Sequence, residues 1–186
     1  MIIREYEHII TIFEGVSNFY FLKKLKVLID CGFSGDRNYI LNFMKDKEVK
    51  YILFTHLHYD HCGNVDLFPQ AELYAHEYEI EAFHKNPLGA VLDPKIVSKL
   101  NKRKLKCFKF LPKNIKKEIK IIETPGHTMG SVCFFYAGKY LFSGDTLFKH
   151  AIGRDDLPTS APEKYFFSLK KLKSYKYEAL FPGHNY

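Results

Sequence analysis

Short apolar runs alternate with glycine, proline and charged residues along the chain, and their period changes between two and three to four. Period-two runs predict strands and wider spacing predicts amphipathic helices. Residues 6–13 and 18–23 read as strands joined by a turn at Gly15, and 26–30 as a third, Val-Leu-Ile ending in Asp30. A helix is expected over 36–46, then a buried strand, Tyr51-Ile52-Leu53-Phe54, and a short helix or turn over 64–68. A strand at 71–75 and a helix at 77–84 follow. Residues 85–113 carry no clear period and are interrupted by Pro87, Gly89, Pro94 and Pro112. The alternation resumes at 115–123, and 132–136 with 139–142 forms a hairpin through Ala137-Gly138. The segment 162–174 predicts a helix with Phe166, Leu169 and Leu172 turned inward, and 177–181 a last strand. Many strands with a few helices between them predict an α/β chain.

One stretch concentrates chemistry. Directly after the 51–54 strand comes Thr55-His56-Leu57-His58-Tyr59-Asp60-His61-Cys62-Gly63. In extended backbone, residues two apart point to the same side, so His56 and His58 can aim two imidazoles at one ion. Asp60 and His61 lie where the chain turns and can serve a second ion nearby. Imidazole with carboxylate suits zinc, iron or manganese better than calcium or magnesium. A single histidine here would read as a solvated loop residue; this density does not. His76 and His84 stand apart from any motif and are expected at the surface.

Length and composition narrow the setting. At 186 residues the chain is expected to form one domain, 1–186, with a substantial core. It has no long apolar run and no cleavable leader pattern at Met1-Ile2-Ile3-Arg4-Glu5, so a cytoplasmic protein without membrane association is expected. Cys31, Cys62, Cys107 and Cys133 lack any Cys-x-x-Cys spacing and read as reduced thiols, Cys62 in a packing role beside the cluster. The formal charge is +7, and lysines crowd residues 99–120. That face is expected to be solvated, with no nucleic-acid partner.

Taken together, His56-x-His58-x-Asp60-His61 and four further motifs in order resemble the metallo-β-lactamase superfamily of metal-dependent hydrolases. The others are Leu28-Ile29-Asp30-Cys31-Gly32, Thr124-Pro125-Gly126-His127-Thr128, Ser143-Gly144-Asp145-Thr146 and Phe181-Pro182-Gly183-His184. The resemblance implies a four-layer αββα sandwich of two mixed β-sheets with the site on loops at one edge. It implies two divalent ions, zinc first and iron or manganese otherwise. His56, His58 and His127 would hold one, Asp60, His61 and His184 the other, and Asp145 would bridge them. Asp60 would also act catalytically, orienting the nucleophile and passing protons. Asp30 would support the ligands without being one.

The Gly153-Arg154-x-Asp156-Leu157-Pro158 stretch resembles the glyoxalase II-like (hydroxyacylglutathione hydrolase-like) members. It implies a metal-bound hydroxide acting on a thioester or similar small ester as a small-molecule substrate. Arg154 reads as pinned to Asp155 or Asp156, with the clasping of a substrate carboxylate as the lesser option. The sequence ends soon after His184, where full-length glyoxalase II continues into a helical region that helps bind glutathione, and Asn185 replaces the glycine common after that histidine. The strand 177–181 anchors His184 from one side only, so the ion of Asp60, His61 and His184 is expected to bind more weakly than the other. Two rivals differ in chemistry. A persulfide dioxygenase-like oxygenase would use one iron on His56, His127 and Asp145, and an RNA or DNA phosphodiesterase would draw on the basic charge. There is no Gly-x-Ser-x-Gly nucleophile elbow for acyl-serine chemistry.

If the lysine run is only a solvated face, binding to structured RNA at physiological salt should be weak. Filter or fluorescence binding at several salt concentrations checks this; tight binding with a steep salt slope would contradict it.

Overall fold

The computed structural model describes residues 1–7 and 9–185. Its strands are β1 (Ile2–Tyr6), β2 (Ile10–Glu14), β3 (Phe19–Leu22), β4 (Val27–Ile29), β5 (Tyr51–Leu53), β6 (Glu72–Ala75), β7 (Leu105–Cys107), β8 (Ile119–Glu123), β9 (Val132–Tyr136), β10 (Tyr140–Gly144) and β11 (Ala179–Pro182). Among the described residues they form a seven-stranded sheet in the order β1 to β7 and a four-stranded sheet in the order β11-β10-β9-β8. Both are mixed. The large sheet is antiparallel from β1 to β4 and parallel from β4 to β7. In the small sheet only β10 and β11 run parallel.

Parallel neighbours need crossovers, and these supply most of the helices. They are α1 (Arg37–Met44), α2 (Tyr59–Cys62), α3 (Glu77–Lys85), α4 (Pro87–Val91), α5 (Pro94–Leu100), α6 (Lys113–Glu118) and α7 (Pro162–Leu172). Alternation within each strand sorts the core into layers. Phe19 and Phe21 of β3 pack with Ile40, Phe83 and Leu100 of the helices over the large sheet. Tyr20 and Leu22 face the other way, against Phe134, Tyr140 and Phe142 of the small sheet. Cys133 and Leu141 turn outward against Leu172 of α7. The result is an αββα sandwich. Among the described residues no helix is long and apolar enough to cross a membrane.

Several elements differ from the sequence expectation. The 6–13 strand is two strands: Glu7 takes a left-handed φ of 47° and Ile9 N–H turns back to the Tyr6 carbonyl, so β1 folds against β2. His8, within that stretch, lies outside the described residues. The expected strand at 115–123 begins only at Ile119, because Pro112 opens a helical turn over 113–118 first. Ile115 and Ile119 are four apart, a spacing that helix and strand patterns share. A helical turn occupies 59–62, ahead of the short 3-10 turn at 65–67. The 85–113 stretch holds α4, α5 and β7, with Asn86 and Asp93 capping the two proline-led helices through their side chains.

The expected inward face of α7 is wrong at Phe166, which is 69% exposed; Tyr165, Ser168 and Leu172 are buried. Polar anchors outweigh apolarity there. The Tyr165 hydroxyl is bonded to the carbonyls of Asp145 and Thr146 at 2.9 and 3.0 Å, and the Ser168 hydroxyl to that of Pro125 at 2.6 Å. The basic run is partly structural as well. Arg103 donates to the carbonyls of Val65, Phe68 and Ala71, and Lys99 to that of Gly63.

Candidate metal centre

β4 and β5 end side by side at Asp30 and Thr55, and β10 and β11 end beside each other before Asp145 and His184. Val132 N–H donates to the Thr55 carbonyl at 3.0 Å and locks the two sheets at this edge. All seven expected side chains converge there. Their candidate ligand atoms form overlapping sets, His56 with His58 and His127, His56 with His61 and Asp145, and Asp60 with His61 and His184, each within 4.8 Å. After β5 the chain stays extended to His58 (φ −63°, ψ 150°), which starts α2. Two imidazoles thus come from extended backbone, and the turn of α2 brings Asp60 and His61.

The tautomers follow from what lies behind each ring. His61 Nδ1 faces Asp30 Oδ2 at 2.9 Å, His127 Nδ1 the Arg154 carbonyl at 2.7 Å and His184 Nδ1 the Val16 carbonyl at 2.7 Å. Acceptors at those positions keep a proton on Nδ1, so that in the neutral ring it is Nε2 that carries the bare lone pair. His56 follows the same rule through Thr55. The Thr55 hydroxyl donates to Asp30 Oδ2 at 2.8 Å and so can accept from His56 Nδ1 at 3.1 Å. The bare nitrogens then point at oxygens or at each other. His184 Nε2 lies 3.3 Å from both Asp60 Oδ2 and Asp145 Oδ2, His61 Nε2 3.2 Å from Asp145 Oδ1, and His127 Nε2 3.0 Å from His58 Nδ1. Buried His56 Nε2, His61 Nε2 and Asp145 Oδ1 lack an aligned hydrogen-bond partner. Converging lone pairs of this kind call for cations between them, so the donor set fits bound divalent ions.

Without an ion, protons substitute unevenly. Burial disfavours the charge on His61 and His184, yet neighbouring carboxylates outweigh it. His61 is held well above its ordinary value by Asp145, Asp60 and Asp30, and His184 is raised to about 9 by Asp145 and Asp60. Burial, with the neighbouring imidazoles, pushes His56 well down and His58 to about 3; burial also lowers His127. Burial favours the neutral carboxyl at Asp145 and Asp60, but His61 and His184 overcome it and hold both below the usual carboxylate range. His56, His58 and His127 are thus neutral, ready to bind an ion without losing a proton.

The His184 loop is held from a distant part of the sequence. The β2–β3 turn grips it: Asn18 N–H donates to the Gly183 carbonyl at 2.6 Å, Asn18 Nδ2 to those of Pro182 and the Asn185 side chain, and the Tyr20 hydroxyl to Pro182. Gly183 has no alternative at this contact, since a Cβ there would sit 2.1 Å from Asp145 Oδ1. The same turn also reaches the first cluster through Ser17 and the Asp60 carbonyl.

The centre opens into a cleft of about 310 Å³ whose apolar walls include Tyr59, Leu92, Phe148, Ile152 and Leu157. Leu92 comes from the stretch without sequence period and takes a left-handed φ of 66° at the end of α4. Arg154 lines the cleft but donates to both oxygens of Asp156, at 2.7 and 2.9 Å, as its pinned reading expects. The cysteines are free thiols, and buried Cys62 donates to the carbonyls of Leu57 and His58, which is a packing role. His84 is exposed, while His76 is half-buried and caps α3. Thr55, Asn18, Tyr165 and Glu79 support the centre without belonging to any pattern of metal-binding side chains, so nothing in the sequence marks them for that role.

Residues 12–184 match the description "Metallo-beta-lactamase superfamily". The chain is similar to the probable metallo-hydrolase M6_Spy0554 of Streptococcus pyogenes serotype M6, 30% identical over 185 residues that cover 91% of this chain and 79% of that protein. Its identity to the probable metallo-hydrolase MJ0888 of Methanocaldococcus jannaschii is 29% over 184 residues, 90% of this chain and 86% of that protein. Among solved structures, TTHA1623 in a di-iron-bound form is similar with a TM-score of 0.67 at 28% identity, covering 94% of this chain and 91% of that one.

Asp30→Ala would leave Thr55 N–H, the Thr55 hydroxyl and His61 Nδ1–H without their buried acceptor. The expected loss of unfolding free energy is about 3 kcal/mol or more, at about 1 kcal/mol or more per orphaned group. Urea denaturation of the metal-free protein measures it; a loss below about 1 kcal/mol would contradict the role given to Asp30.

Proposed function

Because the chain belongs to the metallo-β-lactamase superfamily, we propose that it is a metal-dependent hydrolase acting on a thioester or similar small ester, in the manner of glyoxalase II-like members. His56, His58 and His127 hold one divalent ion, Asp60, His61 and His184 the other, and Asp145 serves both. The observation that carries this reading is the set of imidazole Nε2 atoms turned onto Asp60 and Asp145, with Nδ1 of each of those rings committed to an acceptor behind it. The donor set of imidazole and carboxylate suits zinc, with iron or manganese as the alternatives, and iron is what the similar TTHA1623 structure carries. Bound divalent ions of this type lower the pKa of water toward neutrality, to about 7 for one zinc, and polarise an acyl oxygen.

The chain's own residues supply the rest. Asp60 is ionised and borders the cleft, so it is the group to orient the attacking water, take its proton and return that proton to the leaving thiolate or alkoxide. Tyr165 fixes the Asp145 backbone from behind. The apolar walls exclude water from the acyl group and favour a substrate of modest polarity. Arg154, occupied with Asp156, is left out of substrate binding.

Metal analysis of the purified protein followed by a panel of thioester, lactone, phosphodiester and persulfide substrates tests the reading. Chelator-sensitive thioester or ester hydrolysis restored by metal is expected. Oxygen uptake on a glutathione persulfide with a single bound iron would instead identify an oxygenase, and RNA cleavage a phosphodiesterase. In the same assays Asp145→Ala is expected to abolish hydrolysis and weaken both ions, since one carboxylate serves both. Full activity with both ions retained in that variant would contradict the shared role of Asp145.

A further inference from the structure

Glu79 stands on the buried side of α3, is 2% exposed and belongs to none of the metal-binding patterns. Its Oε2 accepts the Leu57 backbone N–H at 2.8 Å, midway between His56 and His58. Its Oε1 accepts the Thr128 hydroxyl at 2.6 Å, one residue after His127, and the carboxylate also takes the Gly130 backbone N–H. Thr128 is braced in turn, with its N–H on the Ser131 hydroxyl at 3.0 Å. One carboxylate therefore ties together two loops that lie far apart in sequence and carry three of the imidazoles. Gly130 reports the same contact independently: a Cβ there would meet Glu79 Cγ at 2.7 Å and Oε1 at 2.8 Å. The backbone of the second loop has been brought onto the carboxylate as closely as a residue without a side chain allows.

Two needs of that half of the centre meet in this residue. His58 Nδ1 and His127 Nε2 must be kept about one ion apart, and they come from different loops. Imidazole binds an ion in its neutral form, so this half brings no charge of its own, whereas the His61 and His184 half has Asp60 and Asp30 against it. An ion on the neutral half has only shared Asp145 as an anion unless another charge lies behind the ligands. Burial raises the Glu79 carboxyl above its ordinary value, and the Thr128 hydroxyl with the Leu57 and Gly130 N–H groups opposes that rise; both oxygens act as acceptors, the pattern of the ionised form. Groups that orient ligands from behind change metal affinity by about 10- to 100-fold when altered.

We propose that Glu79 is a positioning residue for the His56, His58 and His127 half, fixing the separation of the two loops and supplying the buried negative charge that this half lacks. The proposal rests on the reading of those three histidines as ligands of one ion. It concerns affinity at one half of the centre, not contact with substrate.

Calorimetric titration of Zn²⁺ into chelator-stripped protein tests it. Glu79→Gln keeps the shape and removes the charge. It is expected to weaken one Zn²⁺ by about 10- to 100-fold and to leave the other at wild-type affinity. In a His184→Ala background, which disables the other half, the same weakening must persist on the ion that remains. Thr128→Val removes one strand of the tie and is expected to weaken the same ion by a smaller factor; it decides the matter alone if Glu79→Gln fails to fold by circular dichroism. The visible spectrum of Co²⁺ in the His184→Ala protein should change with Glu79→Gln, a change in ligand geometry that a purely structural role would not produce. Wild-type affinity for both ions in the variants, or equal weakening of both, would overturn the role of Glu79. Absence of Zn²⁺ binding by the unmutated protein would overturn the ligand reading itself, which separates the two failures.

Discussion

The carboxylate of Asp30 is the constraint on which the rest of the centre depends. It sits at the end of β4 with a left-handed φ of 59°, a conformation that aspartate tolerates better than most side chains. Fully buried, it accepts from Thr55 N–H at 2.8 Å, the Thr55 hydroxyl at 2.8 Å and His61 Nδ1 at 2.9 Å. Burial raises its pKa, and the His61 partner opposes that rise. Through these bonds one acid fixes where β5 ends, sets the proton on His61 and, through Thr55, the proton on His56. Both halves of the centre are thus oriented from a single point in the large sheet.

Around that point, separate elements hold the remaining side chains of the cluster in the same manner. A backbone carbonyl sets each of His127 and His184, the β2–β3 turn grips the last ligand loop, and Tyr165 fixes the backbone at Asp145. The supporting groups lie in both sheets, in α3 and in α7, which explains why the whole sandwich is needed to hold a few side chains. The cost of assembling like groups is concentrated in the interior, where His56, His58 and His127 crowd together and Asp60 and Asp145 both approach His184 Nε2 at 3.3 Å. Such an arrangement is stabilised only when charge enters between them.

Much of this was legible in the sequence because the donor residues follow strands. His56, His58, Asp60 and His61 lie next to an apolar run, and alternation placed 132–136 and 139–142 correctly as a hairpin leading to Asp145. The resemblance to the superfamily supplied the grouping of distant ligands, and with it the metallo-β-lactamase fold that the layers display. What escaped was tertiary. Phe166 outranks Tyr165 in apolarity, yet Tyr165 is buried because its hydroxyl has two carbonyls to meet. For His184 the sequence shows no partner, and only the fold reveals the turn around Asn18 that grips its loop. In 85–113, two short proline-led helices are set by caps at Asn86 and Asp93, and elements of five and seven residues are too short to establish a helical period.

The central claim is that one buried array holds two ions with Asp145 between them. Anomalous diffraction at the zinc edge from crystals of the protein grown with Zn²⁺ tests it most directly. Two peaks are predicted, one enclosed by His56, His58 and His127 and one by Asp60, His61 and His184, with an Asp145 oxygen beside each. A single peak at full zinc occupancy, or peaks away from these side chains, would contradict the account.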